Sequence, residues 1–121
     1  CNQVEFHPYL DQSKLFAAAT RLGIALSAYC PLAKGKIFGD PVIKTLAAKY
    51  DRSEAQIILR WIVQKGISAN PMSTKPENLR ANLEALNFNL SAPDSAAIDK
   101  LGEKGLRIVD KDRMPIAPEW D

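Results

Sequence analysis

The chain has 121 residues, 46% of them apolar and 25% charged, with a formal net charge of +2. This is the ordinary mix of one globular domain, and it excludes a disordered tail, a collagen-like repeat and a disulfide-dense miniprotein. Lys and Arg are scattered, so neither nucleic acid nor a membrane surface is an expected partner, and no apolar run approaches the roughly 18–20 residues of a membrane helix.

The chain opens at Cys1 without Met or a signal peptide and runs directly into a strand, as expected of a piece of a longer chain. In that strand Val4 and Phe6 point one way and Gln3, Glu5 and His7 the other; Pro8 ends it. Asp11 is the expected N-cap of a helix whose Leu15, Phe16, Ala19 and Leu22 share a face, with Gly23 as its stop. Residues 24–29 read as a buried strand between Gly23 and Pro31, followed by a loop from Pro31 to Asp40.

Pro41 opens a helix to about Tyr50, with Ile43, Leu46 and Ala47 on one face. Ser53 and Gln56 form a capping box for the next helix, whose stripe is Ile57, Ile58, Trp61 and Ile62, ending at Gly66. Ile67–Asn70 is a short third strand. Thr74 to Glu77 reads as a second capping box, with Pro76 in the first turn and Leu79, Leu83 and Leu86 on the inner face. Ser91 caps a last helix with Ile98 and Leu101 inward and Gly102 as its stop. The tail from Leu106 to Asp121 has no period and reads as a surface loop.

Strands alternating with helices mean an α/β fold with a parallel sheet. Two architectures fit: an open doubly wound sheet or part of a (β/α)8 barrel. The split of the first strand into apolar and polar faces favours the barrel, because a doubly wound sheet is apolar on both. Tyr29 then falls at a strand's C-terminal end, where barrel active sites sit.

No self-sufficient catalytic or metal motif occurs. One His and two Cys without metal spacing make no ligand set, and no phosphate-binding glycine loop is present. Glu5 and His7 share a strand face and read either as an acid–base pair or, with His7 just before Pro8, as a satisfied turn histidine. Ser73 and Thr74 before Pro76 read either as an anion site at a helix N-terminus or as a helix cap alone. Cys30 has no adjacent base in sequence and is expected to be an inert thiol, in keeping with a reduced, cytoplasmic setting.

Four blocks together are specific. Asn2 to Tyr9, Ala28 to Leu32, Ala55 to Trp61, and Pro71 to Thr74 with Asn82 downstream resemble, in order and spacing, the C-terminal half of an aldo-keto reductase. The resemblance spans about residues 1–101. It implies the C-terminal portion of a (β/α)8 TIM barrel, about three βα units plus a C-terminal helix, with residues 102–121 as a tail of the same partial domain. It implies NADP as cofactor, with NAD as an alternative. Gln3 would bond the nicotinamide carboxamide, and Tyr29 would stack on the ring. Cys30, Pro31 and Leu32 would run along the pyrophosphate. Ser73, Thr74 and Lys75 would hold the adenosine phosphate end, and Asn82 would contact adenine. Met72 and Asn78 stand where the family often has Lys and Arg for the 2′-phosphate; Lys75 is the cation nearest to replace them.

The family's catalytic Tyr, Asp, Lys and His map onto none of these positions, so no catalytic residue is assigned. The resemblance thus implies half of an enzyme that reduces a small carbonyl substrate, inactive and poorly folded as an isolated piece. Two alternatives remain: a non-catalytic nicotinamide binder akin to channel-associated members of the fold, and a free-standing open α/β domain with an unrelated ligand.

Overall fold

The computed structural model describes residues 1–112 and 114–117. Among them a parallel sheet of three strands runs in chain order: β1 (Asn2–Glu5), β2 (Leu26–Tyr29) and β3 (Ser68–Ala69). Gln3 lies beside Ser27 and Ser27 beside Ser68, while Glu5 lies beside Tyr29. β3 is shorter than its pattern suggested, although the Asn70 N–H still reaches the Ala28 carbonyl at 3.1 Å. β2 likewise starts at Leu26, leaving Ile24 half-exposed.

The helices are α1 (Ser13–Arg21), α2 (Pro41–Tyr50), α3 (Glu54–Gln64), α4 (Pro76–Glu84) and α5 (Ala92–Asp99), joined by 3₁₀ turns at Ala33–Gly35, Ala85–Asn87 and Lys100–Lys104. The loop expected over residues 31–40 therefore carries one of these turns, with Ala33 and Ile37 buried in it. Local chemistry explains the best-defined helix ends. Asp40 caps α2 by accepting the Val42 N–H, with Pro41 at N1. In α3 the Ser53 and Gln56 side chains each accept the other's backbone N–H, the full capping box read from sequence. Gly23 and Gly66 follow their helices at φ +66° and +77°.

Other ends differ. Gln12, not Asp11, stands at the N-cap of α1; Asp11 instead accepts the Ser13 N–H at 2.9 Å. The box expected at Thr74 is absent: Lys75 is at the N-cap of α4 without a side-chain bond, and the Ser73 hydroxyl accepts the Lys75 N–H. Gly102 does not end α5. The chain continues as a 3₁₀ turn to Gly105 at φ +59°, while Gly102 lies where a Cβ would meet the Asp11 backbone at 3.3 Å.

One face of the sheet carries the core. Val4, Leu26 and Ala28 pack with Ile57, Ile58, Trp61 and Ile62 of α3 and with Ile43 and Leu46 of α2. Phe6, just past β1, stacks on Trp61 with ring centroids 5.3 Å apart. The opposite face presents Gln3, Ser27, Tyr29, Ser68 and Asn70, exposed or half-exposed, and Glu5, which is buried. The Asn70 amide donates to the Ser27 hydroxyl across that face at 2.8 Å. The expected inner face of α4 is open too: Leu79, Leu83 and Leu86 are exposed, Leu83 by 68%.

Candidate functional site at the open face of the sheet

Parallel strands bring their C-terminal ends to one edge, so Tyr29 and the 70–75 turn lie side by side beyond β2 and β3. Gln3 reaches the same open face from β1. Gln3 and Tyr29 line one cavity of about 730 Å³ at the free edge of β1, together with Val4 and Glu5 of that strand, residues 11–15 at the start of α1, and Arg107. Burial holds the Tyr29 phenol above its usual pKa, with the nearby Glu5 charge adding to the effect. The ring is therefore neutral at physiological pH.

The turn that follows Tyr29 is unusual. Cys30, Ala33 and Lys34 all have φ between +47° and +50°, a left-handed backbone that non-glycine residues avoid. Such strain costs about 1–3 kcal/mol per residue and is concentrated at functional segments. Pro31 is buried, and Cys30 and Leu32 pack against the core. Burial and the Glu5 charge push the Cys30 thiol up, which agrees with the inert role expected of it.

Ser73, Thr74 and Lys75 sit together at the N-terminus of α4. Asn82 is not gathered with them. It lines an apolar groove between α3 and α4 with Leu59, Val63, Leu79 and Leu83.

Glu5 and His7 do form a pair, but not at a wet mouth. Both are fully buried, and the His7 Nε2 and Glu5 Oε1 are 2.9 Å apart. The Glu5 carboxylate also accepts the backbone N–H of Ile108 at 2.6 Å and of Val109 at 2.9 Å. Burial pushes this carboxyl up, yet the bonds from His7 and the two amides outweigh it and hold the pKa below the ordinary value. The segment expected to be a surface loop thus buries Ile108 against the end of β1. Sequence reading had no access to this clasp, because its two halves lie 103 and 104 residues apart. Trp120, further along the same C-terminal segment, lies outside the described residues.

A second cluster was also missed. The Tyr9 hydroxyl donates to Asp40 at 2.7 Å, and Lys104 donates to the same oxygen at 2.7 Å while sitting 4.0 Å over the Tyr9 ring. Burial and the Asp40 bond raise the Tyr9 pKa, so this phenol is a poor proton donor. Asp40 at the start of α2 is tied in this way to the 3₁₀ turn that follows α5. Among the described residues no group of three or more His, Cys, Asp or Glu is arranged to hold a metal ion, and no helix is long and apolar enough to cross a membrane.

Comparison with known proteins gives these features a context. Residues 1–103 match the model of the aldo/keto reductase family. The methylglyoxal reductase DkgB of Escherichia coli O157:H7 is 44% identical over 120 residues, which is 99% of this chain and 44% of that protein. A variant of Gox0644 solved in complex with NADPH superposes with a TM-score of 0.86 at 33% identity, covering 93% of this chain and 42% of that one. A Bombyx mori aldo-keto reductase in complex with NADP gives 0.83 at 31% identity, over 97% and 41%. The chain spans less than half the length of each of these relatives.

Proposed function

The chain belongs to the aldo/keto reductase family, and on that premise we propose that it supplies the cofactor-binding half of an NAD(P)H-dependent carbonyl reductase. Residues 1–121 are then one partial domain, the last βα units of a (β/α)8 barrel, with 102–121 as its tail. Two features support the barrel. Among the described residues the strand order does not reverse and the helices pack on one sheet face, whereas a doubly wound sheet is covered on both.

The observation that carries the cofactor reading is the shared cavity of Gln3 and Tyr29 at the free edge of β1. A Gln amide offers both a donor and an acceptor, the complement of a carboxamide. The neutral Tyr29 ring offers a flat wall for an aromatic ring. The strained turn at Cys30, with Pro31 and Leu32, fits a segment shaped for a ligand's pyrophosphate. Ser73, Thr74 and Lys75 at the N-terminus of α4 suit the adenosine phosphate. Asn82 would reach adenine only along the groove it lines. When bound, the reduced nicotinamide supplies the hydride.

The proton that completes carbonyl reduction is assigned to a tyrosine outside this chain. The tyrosines here are unsuited to the task. Tyr9 donates to Asp40, Tyr50 donates to Asp94, and Tyr29 serves in this reading as the wall on which the nicotinamide rests. The partner Asp, Lys and His of that proton donor would lie outside as well. NADP is the cofactor the family resemblance implies; NAD is kept as the alternative because Met72 and Asn78 bring no cation to a 2′-phosphate. A small aldehyde such as methylglyoxal, named for the DkgB relative, is the first substrate to try.

The test is to follow loss of reduced nicotinamide absorbance in the protein carrying this chain. NADPH is expected to be consumed only when a small aldehyde is present, and Tyr29→Ala is expected to lower kcat/KM about two- to tenfold, the loss of one stacked aromatic contact. NADPH binding without consumption would leave the non-catalytic binder in its place.

A further inference from the structure

Glu5 has 2% of its surface exposed, and a carboxylate so buried is costly unless its oxygens are satisfied. Here Oε1 takes the Ile108 N–H and faces His7, and Oε2 takes the Val109 N–H. Two successive amides on the two oxygens of one carboxylate fix both the position and the orientation of that backbone. A second tie lies just before it, where the Leu106 N–H donates to the Tyr9 carbonyl at 2.8 Å. Between the ties sits Arg107, which lines the same cavity as Gln3 and Tyr29. Glu5 is also the register partner of Tyr29.

We propose that Glu5 is a positioning residue. It straps residues 106–110 across the end of β1, which sets Arg107 in the wall of the Gln3–Tyr29 cavity, and so slows the release of a nicotinamide dinucleotide held there. This rests on the cofactor reading above. The chemistry requires a carboxylate. Gln would turn an N–H₂ toward an amide N–H, donor against donor, whereas Asp keeps two acceptors on a stem one methylene shorter.

The experiment combines stopped-flow release of NADPH with residue-resolved amide exchange in the protein carrying this chain. Glu5→Gln is expected to speed NADPH release about tenfold or more, as loss of charge-assisted hydrogen bonds implies. The Ile108 and Val109 amides exchange faster in that variant, and the α2 and α3 core amides do not change. Glu5→Asp recovers much of both effects. Val109→Pro, which removes one clasped amide and leaves the buried carboxylate in place, repeats the faster release and decides the matter if Glu5→Gln does not fold. Unchanged exchange at Ile108 and Val109 in Glu5→Gln would overturn the strap. Faster exchange with unchanged release, in a protein where Tyr29→Ala does speed release, would overturn the proposal and leave the cofactor reading standing. NADPH binding indifferent to both Gln3→Ala and Tyr29→Ala would remove that reading and the proposal with it.

Discussion

At Glu5, burial and hydrogen bonding oppose each other, and the bonds win. Its folded-state pKa lies below the ordinary 4.5, so across that window the unfolded chain binds more protons than the folded one. The stability this contributes is fully present above about 4.5 and is lost as pH falls through the lowered folded value. A series of melting temperatures from pH 6 down to pH 3 should therefore show a steeper acid limb for the wild type than for Glu5→Gln. Gly102 makes a different kind of demand. An added Cβ would press on the Asp11 backbone at 3.3 Å, and that neighbour cannot rotate away. Gly102→Ala should destabilise by about 1–3 kcal/mol in urea unfolding, the usual cost of overpacking. Gly23 and Gly66 were legible from sequence because a helix stop is a local event. Gly102 was not, because its reason is a chain segment some ninety residues earlier. Glu5 was half legible: its face could be read, but not the amides that cover it.

The elements divide along the same line between local and distant causes. The ends of α2 and α3 were readable because their caps lie within three residues. Ser53→Ala should lower stability by about 1 kcal/mol, measured by thermal or urea denaturation. The apolar spacing of α4 was also read correctly, yet Leu79 and Leu83 stand open. Periodicity says that a face is apolar; it does not say which element covers it. In the barrel reading, that cover belongs to the rest of the barrel wall. The N-terminus of α4 bears on cofactor choice. Met72 is 94% exposed, and Asn78 is exposed in the first turn, so both positions accept a longer side chain. Met72→Lys combined with Asn78→Arg should raise the preference for NADPH over NADH about tenfold or more, the worth of one or two charge-assisted bonds to phosphate. The ratio of the two dissociation constants checks it.

For the whole molecule, the decisive feature is a sheet with one dry face and one polar face. The alternation along β1 announced it, which is why the barrel could be preferred from sequence. The family resemblance then supplied roles that composition and spacing alone could not, above all for Gln3 and Tyr29. The open leucines of α4 and the unmatched edges of β1 and β3 also make a physical prediction. The isolated 121-residue chain should self-associate through exposed apolar surface. Leu79→Glu combined with Leu83→Glu should shift sedimentation toward the monomer with little change in helix content.

The most direct measurement is magnetisation transfer by NMR between the nicotinamide ring protons of NADP and the side chains of the protein carrying this chain. The account predicts contacts from the nicotinamide to the Tyr29 ring and the Gln3 side chain, all lost in Tyr29→Ala. A nicotinamide that instead contacts the Phe6–Trp61 stack or the α3–α4 groove, and is indifferent to Tyr29→Ala, would contradict it.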